Sequence, residues 1–413
     1  RTQNRELKKV LDEISSNIIT CQKEDGYINT QVPPHERFDM DISHELYIAG
    51  HFFEAAAAHY RGTGENILID GACSWADYLI REYKDGNPYF DKVGEREHSE
   101  YELGLLRLYR VTGEERYLNF AITLAQMCNI GPRVKDIKAG GGLHAVRVGY
   151  LLSGYADLYL ETGKKDFIEH LKEIWEELVS TRLYITGGIG VSENIPVQPY
   201  YLPQSYPPHQ DRDVAETCGS VAMMMFSWRL HSIFGKSKYF DIIENILYNN
   251  YLGAFSLDNL GNFYYNPLRL VGDQSNKSNH WAPTTHRLRL PELNKTACCI
   301  SNSWRFFGAL PEYIYSVGKK IIFINLYTTS SLTHTFNQGK KIELKMETDY
   351  PDTGKICIQI ETETPLVFEL NLRIPGWCET AQIEVKGKDC EEVSGGNYYD
   401  IKKEWQKKEL IVV

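Results

Sequence analysis

LYRVTGEERYLN, residues 108–119, has two near-copies in the same chain: HYRGTGENILID at 59–70 and LYLETGKKDFIE at 158–169. Their Thr-Gly pairs fall at 63–64, 112–113 and 162–163, a period of 49 to 50 residues. A weaker fourth copy, IFGKSKYFDIIE, spans 233–244. In each, a helical pattern runs into glycine and a second one restarts a few residues later. Glycine suits the left-handed position just past a helix end. HELYIAGHFFEAAAAHY, ahead of the first glycine, has its apolar residues at helical spacing. Each copy therefore predicts a helical hairpin, and hairpins at this period stack as an open solenoid or curl into a closed ring.

The residues that open the hairpins favour the ring. His44, His98 and His144 precede the first three glycines by 20, 15 and 19 residues, and Glu216 precedes Gly235 by 19. Polar, titratable groups recurring at one repeat position converge on one rim if the ring closes, where helix N-termini await polar partners. The alternative is a set of unrelated capping or packing residues. The expected architecture is α + β multidomain: an (α/α)6 barrel of helical hairpins over residues 1–315 with a site at its mouth, then an antiparallel β-sandwich over 316–413. The second part is read from KKIIFINLYT, KKIELKMETD, KICIQIETE and LVFELNLRIP, which alternate apolar and polar residues with β-branched enrichment. The chain ends inside a strand-like run, ELIVV, so further β-structure beyond it is expected.

Composition excludes several functions. Lysine plus arginine number 45 against 55 acidic residues, a net charge of −10, and no basic run offers a nucleic-acid footprint. No apolar stretch approaches the roughly 20 residues of a membrane span. The first residue is Arg1, so any leader peptide is absent from this chain and the compartment stays open, as does oligomerisation. The nine cysteines are an odd, scattered set, which argues for thiols, some of them on a metal, over a disulfide framework.

Two of those cysteines are adjacent, in TACCISN at 296–302, and a third lies in AETCGS. Glu216, Cys218, Cys298 and Cys299 form an E-x-C…C-C set whose halves both precede helical patterns. One carboxylate and three sulfurs suit a four-coordinate zinc site, because thiolates select zinc over magnesium or calcium. A metal-bound thiol is ionised, and the thiolate is the nucleophilic form, so one of the paired sulfurs could attack an electrophilic carbon. A purely structural zinc site, or plain buried thiols, is the other reading of the same residues.

These segments, with DGYINT (25–30), HAVRVGYLLSGYADL (144–158), LYITGGIGVS (183–192), NFYYNPL (262–268) and LRIPGWC (372–378), resemble in order the β-L-arabinofuranosidase family, glycoside hydrolase family 127 and its relatives. The resemblance covers nearly the whole chain. It implies a zinc-dependent retaining glycosidase in which Cys298 is the nucleophile and forms a thioglycosyl intermediate. It implies zinc on Glu216, Cys218, Cys298 and Cys299. The sugar would be held by His44, His98, His144 and Tyr264, the last in the F-Y-x-N-P motif, and a glycan or small glycoside would be the substrate.

The sequence departs from the family where the acid/base should be. The G-E-A-F that follows TGGIG in typical members is missing from VSENIPVQPYYLPQSYPPHQDRDVAET. Glu193 is the only carboxylate before Asp211 and is the default replacement, with Asp211 and Asp213 as outside candidates. C-C-I-S-N stands for C-C-P-P-N, and E-H-S for G-H-P. A protein that keeps the zinc and binds or scaffolds carbohydrate without its acid is the alternative from another class. Glu193 about 5–6 Å from the Cys298 sulfur would favour the enzyme.

Overall fold

The computed structural model describes residues 4–30, 32–39, 43–96, 98–128, 144–190, 215–258, 261–264, 266, 268, 298–336, 339–385 and 389–413. Among these, the division into compact units falls after Arg182.

The first unit, up to Arg182, is helical. Its helices are α1 (Arg5–Thr20), α2 (Glu45–Thr63), α3 (Ile67–Lys84), the short α4 (Val93–Arg96), α5 (Tyr101–Thr112), α6 (Glu115–Cys128), α7 (Ala145–Thr162) and α8 (Leu171–Thr181). The Thr-Gly repeat is a helix-ending device. Gly64, Gly113 and Gly163 sit in the left-handed region with φ of 77°, 74° and 66°. Each sends its N–H to the carbonyl four residues back. The preceding threonine explains the other half of the signature. Thr63, Thr112 and Thr162 donate their hydroxyls to the carbonyls of His59, Leu108 and Leu158, and accept from the N–H two residues on. One side chain thus satisfies a helix carbonyl and starts the turn into the next helix.

The hairpin-opening helices α2 and α5 touch backbone to backbone. A Cβ on Gly104 would lie 2.3 Å from the Gly50 carbonyl oxygen, so only glycine fits at this contact.

The second unit, from Leu183, begins with a turn at 184–190. It continues with α9 (Thr217–Phe234), α10 (Lys238–Ile246), a π-helical turn at Leu247–Tyr251, α11 (Cys298–Ala309) and α12 (Pro311–Ile314). Gly235 ends α9 as the other repeat glycines end theirs, with φ of 62°. Strands start at Tyr315. One sheet runs β1 (Tyr315–Val317), β2 (Ile321–Ile324), β6 (Leu366–Ile374), β9 (Asn397–Trp405). The other runs β3 (Ser330–Thr335), β4 (Lys341–Thr348), β5 (Ile356–Thr362), β10 (Lys408–Val412), β7 (Thr380–Val385), β8 (Glu391–Ser394). Alternate residues of β5 are buried, as the period-two pattern requires. Trp405 and Phe368 stack in the core at 5.2 Å.

Among the described residues all but one of the strand pairs are antiparallel; β2 and β6 are parallel. The chain leaves after β2 to build β3, β4 and β5 in the other sheet, and returns in the same direction as β6. The LRIPGWC stretch grips α10: the Gly376 N–H meets the Asp241 carboxylate at 3.1 Å, and the Trp377 indole N–H meets Glu244 at 2.9 Å.

Candidate metal and sugar-binding sites

Glu216 is the N-cap of α9 and Cys218 the second residue of that helix. Cys298 and Cys299 are the first two residues of α11. Four donors therefore sit at two helix N-termini, where free N–H groups and the dipole favour anions. Ala215, just before Glu216, has φ of 43° although it carries a Cβ. Backbone strain of this kind is held in place by its surroundings and clusters at functional positions.

One ligand atom from each of Glu216, Cys218, Cys298 and Cys299 lies within 4.8 Å of all the others. Glu216 Oε1 is 3.8 Å from the Cys299 sulfur and 4.0 Å from that of Cys298. A tetrahedral ion with metal–sulfur bonds of about 2.3 Å holds its sulfurs roughly 3.8 Å apart, so the set is already close to the required size. Burial pushes the Glu216 carboxyl well above its usual range, with the Cys298 charge adding to it. Burial likewise raises the Cys218 and Cys299 thiols. Glu216 Oε2 is buried with no hydrogen-bond partner. Buried anionic groups of this kind are reconciled by a cation, and the donor set fits one. Among the described residues no other such group of His, Cys, Asp and Glu occurs.

The segment after the π turn is laid against this cluster. Thr217 donates its N–H to the Tyr264 carbonyl at 3.3 Å and its hydroxyl to the Phe263 carbonyl at 2.8 Å. The Tyr264 carbonyl oxygen is 3.9 Å from the Cys299 sulfur. Tyr264 thus reaches the cluster through its backbone, a contact that the motif alone does not reveal.

The three histidines belong to the first unit; His98 and His144 pack together there, and the His44 ring lies 6.4 Å from that of Tyr47, which packs on His98. His44 and His144 are the N-caps of α2 and α7, and His98 lies two residues before the N-cap of α5. His44 has φ of 46°, a second non-glycine residue in the left-handed region at a candidate site. The rings of His98 and His144 are 5.5 Å apart. His98 Nδ1 is 2.8 Å from the Ser99 carbonyl, which can only accept, so its proton is on Nδ1. His144 Nδ1 accepts from the Arg147 N–H at 3.4 Å, which puts the proton of its neutral form on Nε2. Loss of solvation pushes His98 well below the ordinary histidine value, and the neighbouring His144 adds to this.

Sequence reasoning missed the residues that hold these rings. Tyr47 packs at 4.3 Å from His98 and 4.5 Å from His51, and Tyr150 is 5.8 Å from His98. Glu100, fully buried, meets His51 Nδ1 at 3.2 Å. His44, Tyr47 and His51 share one helix face at i, i+3 and i+7, a signal already present in HELYIAGH. Glu193, Asp211 and Asp213 lie outside the described residues. No helix among the described residues is long and apolar enough to cross a membrane.

Helical hairpins followed by a β-sandwich, with one buried glutamate and three cysteines converging at paired helix starts, define an α + β multidomain protein with a candidate metal centre. The chain belongs to the β-L-arabinofuranosidase family GH127: its catalytic-domain model matches residues 1–312 and its middle-domain model residues 321–413. A non-reducing end β-L-arabinofuranosidase of Bifidobacterium longum is 30% identical over 431 residues. That match covers 93% of this chain, and the chain spans 63% of the relative's length. The crystal structure of a GH127 β-L-arabinofuranosidase from Geobacillus stearothermophilus T6 superimposes with a TM-score of 0.82 at 27% identity, over 100% of this chain and 69% of the other. A further GH127 β-arabinofuranosidase gives 0.83 at 29%, over 100% and 67%.

Proposed function

We propose that the chain carries a retaining glycoside hydrolase active on β-L-arabinofuranosides or closely related glycosides, with Cys298 as nucleophile and zinc as its metal. The observation that carries the reading is a difference in burial: of the four convergent donors, Cys298 alone is half-buried, while Glu216, Cys218 and Cys299 are buried. A substrate reaches that sulfur before the others. Glu216, Cys218, Cys298 and Cys299 would hold the zinc, which would supply the positive charge that keeps the sulfurs ionised.

In the first half-reaction the Cys298 thiolate forms a bond to the anomeric carbon as the bond to the aglycone oxygen breaks, and that oxygen takes a proton from the acid, for which Glu193 is the candidate. In the second, water attacks the same carbon, the acid's conjugate base takes its proton, and the thiolate leaves. Two inversions retain the configuration. His44, His98, His144 and Tyr264 are assigned to the sugar. The chemistry is assigned to residues 1–315, with 316–413 as the supporting sandwich.

A screen of aryl glycosides, β-L-arabinofuranoside first, with wild type and Cys298→Ser side by side, tests the proposal. Turnover by wild type and none by the variant is expected. No turnover of any glycoside by zinc-loaded wild type, or an active variant, overturns it.

A further inference from the structure

We propose that Asn250 is a positioning residue for the cluster of Glu216 and the three cysteines; the inference rests on that cluster being a metal site. Asn250 is 1% exposed and stands in the π turn Leu247–Tyr251 that follows α10. A π turn displaces the backbone from ordinary helical pairing, and such turns recur at functional sites. Here the Asn250 N–H leaves the helix and donates to the Thr186 carbonyl at 3.2 Å. Its carbonyl accepts from the Asn266 amide at 2.6 Å. Its side-chain oxygen accepts from the Ser220 hydroxyl at 2.5 Å.

Ser220 leads to the cluster directly, and the segments that carry Thr186 and Asn266 reach it through neighbouring residues. Ser220 lies in the first turn of α9 and sends its N–H to the Glu216 carbonyl at 3.2 Å. The turn containing Thr186 ends at Gly190, whose carbonyl accepts from Ala215 N–H at 3.1 Å, directly before Glu216. Asn266 belongs to the segment whose Tyr264 carbonyl binds the Thr217 N–H and lies against the Cys299 sulfur. Gly188 leaves no room on the fourth side: a Cβ there would be 2.5 Å from Asn250 Nδ2. One asparagine therefore ties the TGGIG turn and the F-Y-x-N-P segment to the helix start that carries Glu216 and Cys218. Groups that orient metal ligands typically change metal affinity about 10- to 100-fold when removed.

The test uses the full chain stripped of metal and titrated with cobalt(II) alone. Wild type is expected to give thiolate-to-cobalt charge-transfer absorption with intense tetrahedral d–d bands. Asn250→Ala and Ser220→Ala, which remove the same bond from opposite sides, should each shift the d–d bands and weaken cobalt binding about tenfold or more. The double variant should be no worse than either single one. Asn250→Asp, which keeps an accepting oxygen, should restore the wild-type spectrum. Ser220→Ala deletes one oxygen only, so it reads the bond even if Asn250→Ala fails to fold. Wild-type bands and affinity in both alanine variants overturn the positioning role. Absence of charge-transfer absorption in wild type overturns the metal reading instead.

Discussion

The Arg373 guanidinium, wholly buried at the end of β6, donates to Glu244 of α10 at 2.5 Å and to Asp241 of the same helix at 2.7 Å. Its Nε donates to the Asn325 carbonyl at 2.5 Å. Glu244 also accepts from the Tyr350 hydroxyl and the Trp377 indole, so both its oxygens are engaged. The sandwich and α10 are joined by an ionic network around the buried guanidinium. Removing one partner of a buried ion pair leaves the other charge uncompensated. Arg373→Met should therefore cost about 3–5 kcal/mol in urea unfolding. A loss below about 1 kcal/mol would show the network to be dispensable.

His231 sets a pH dependence at the same contact. Its Nε2 is 2.9 Å from the Tyr398 hydroxyl, and burial, with the Arg373 charge, lowers its pKa to about 4. An unfolded chain's histidine takes up its proton near pH 6.5. Below that, the unfolded state binds a proton that the native state refuses, so stability falls as pH drops from about 6.5 to about 4 and is unaffected above. The full span is worth on the order of 3 kcal/mol. His231→Gln should flatten that part of the stability–pH curve; an unchanged slope would assign it to other groups.

The metal reading predicts about one zinc per chain, held by four donors. Cys218→Ser and Glu216→Ala should fall well below that by elemental analysis, because each removes a buried ligand. Metal-free wild type with an intact fold and full turnover would sink the site.

Part of this was legible before the structure and part could not be. The Thr-Gly ends were, because the left-handed glycine and the threonine hydroxyl act within four residues of each other. Glu216, Cys218, Cys298 and Cys299 were legible as donors because each pair is local to a helix start. Their convergence to within 4.8 Å is tertiary. Asn250 was not, since its importance lies in a π turn and in three segments that meet only on folding. Nor was the Glu100–His51 contact, which depends on how closely α2 approaches α5. Alternation revealed the strands, but it carries no information on pairing order, so the parallel β2–β6 pair was missed.

That close approach of α2 and α5 can be tested with one glycine from each end of the contrast. At Gly104 an added Cβ would sit 2.3 Å from the Gly50 oxygen and 2.7 Å from its Cα, both backbone atoms with nowhere to go. Gly104→Ala should force the helices apart, cost about 3 kcal/mol, and separate His51 from Glu100. Gly62, near the exposed end of α2, has nothing within 4 Å of such a Cβ. There the substitution only removes freedom from the unfolded chain and improves helix propensity, so Gly62→Ala should stabilise by about 0.5–1 kcal/mol. The same chemical change thus has opposite signs at the two sites. Urea midpoints that moved in the same direction would mean that α2 and α5 do not meet backbone to backbone.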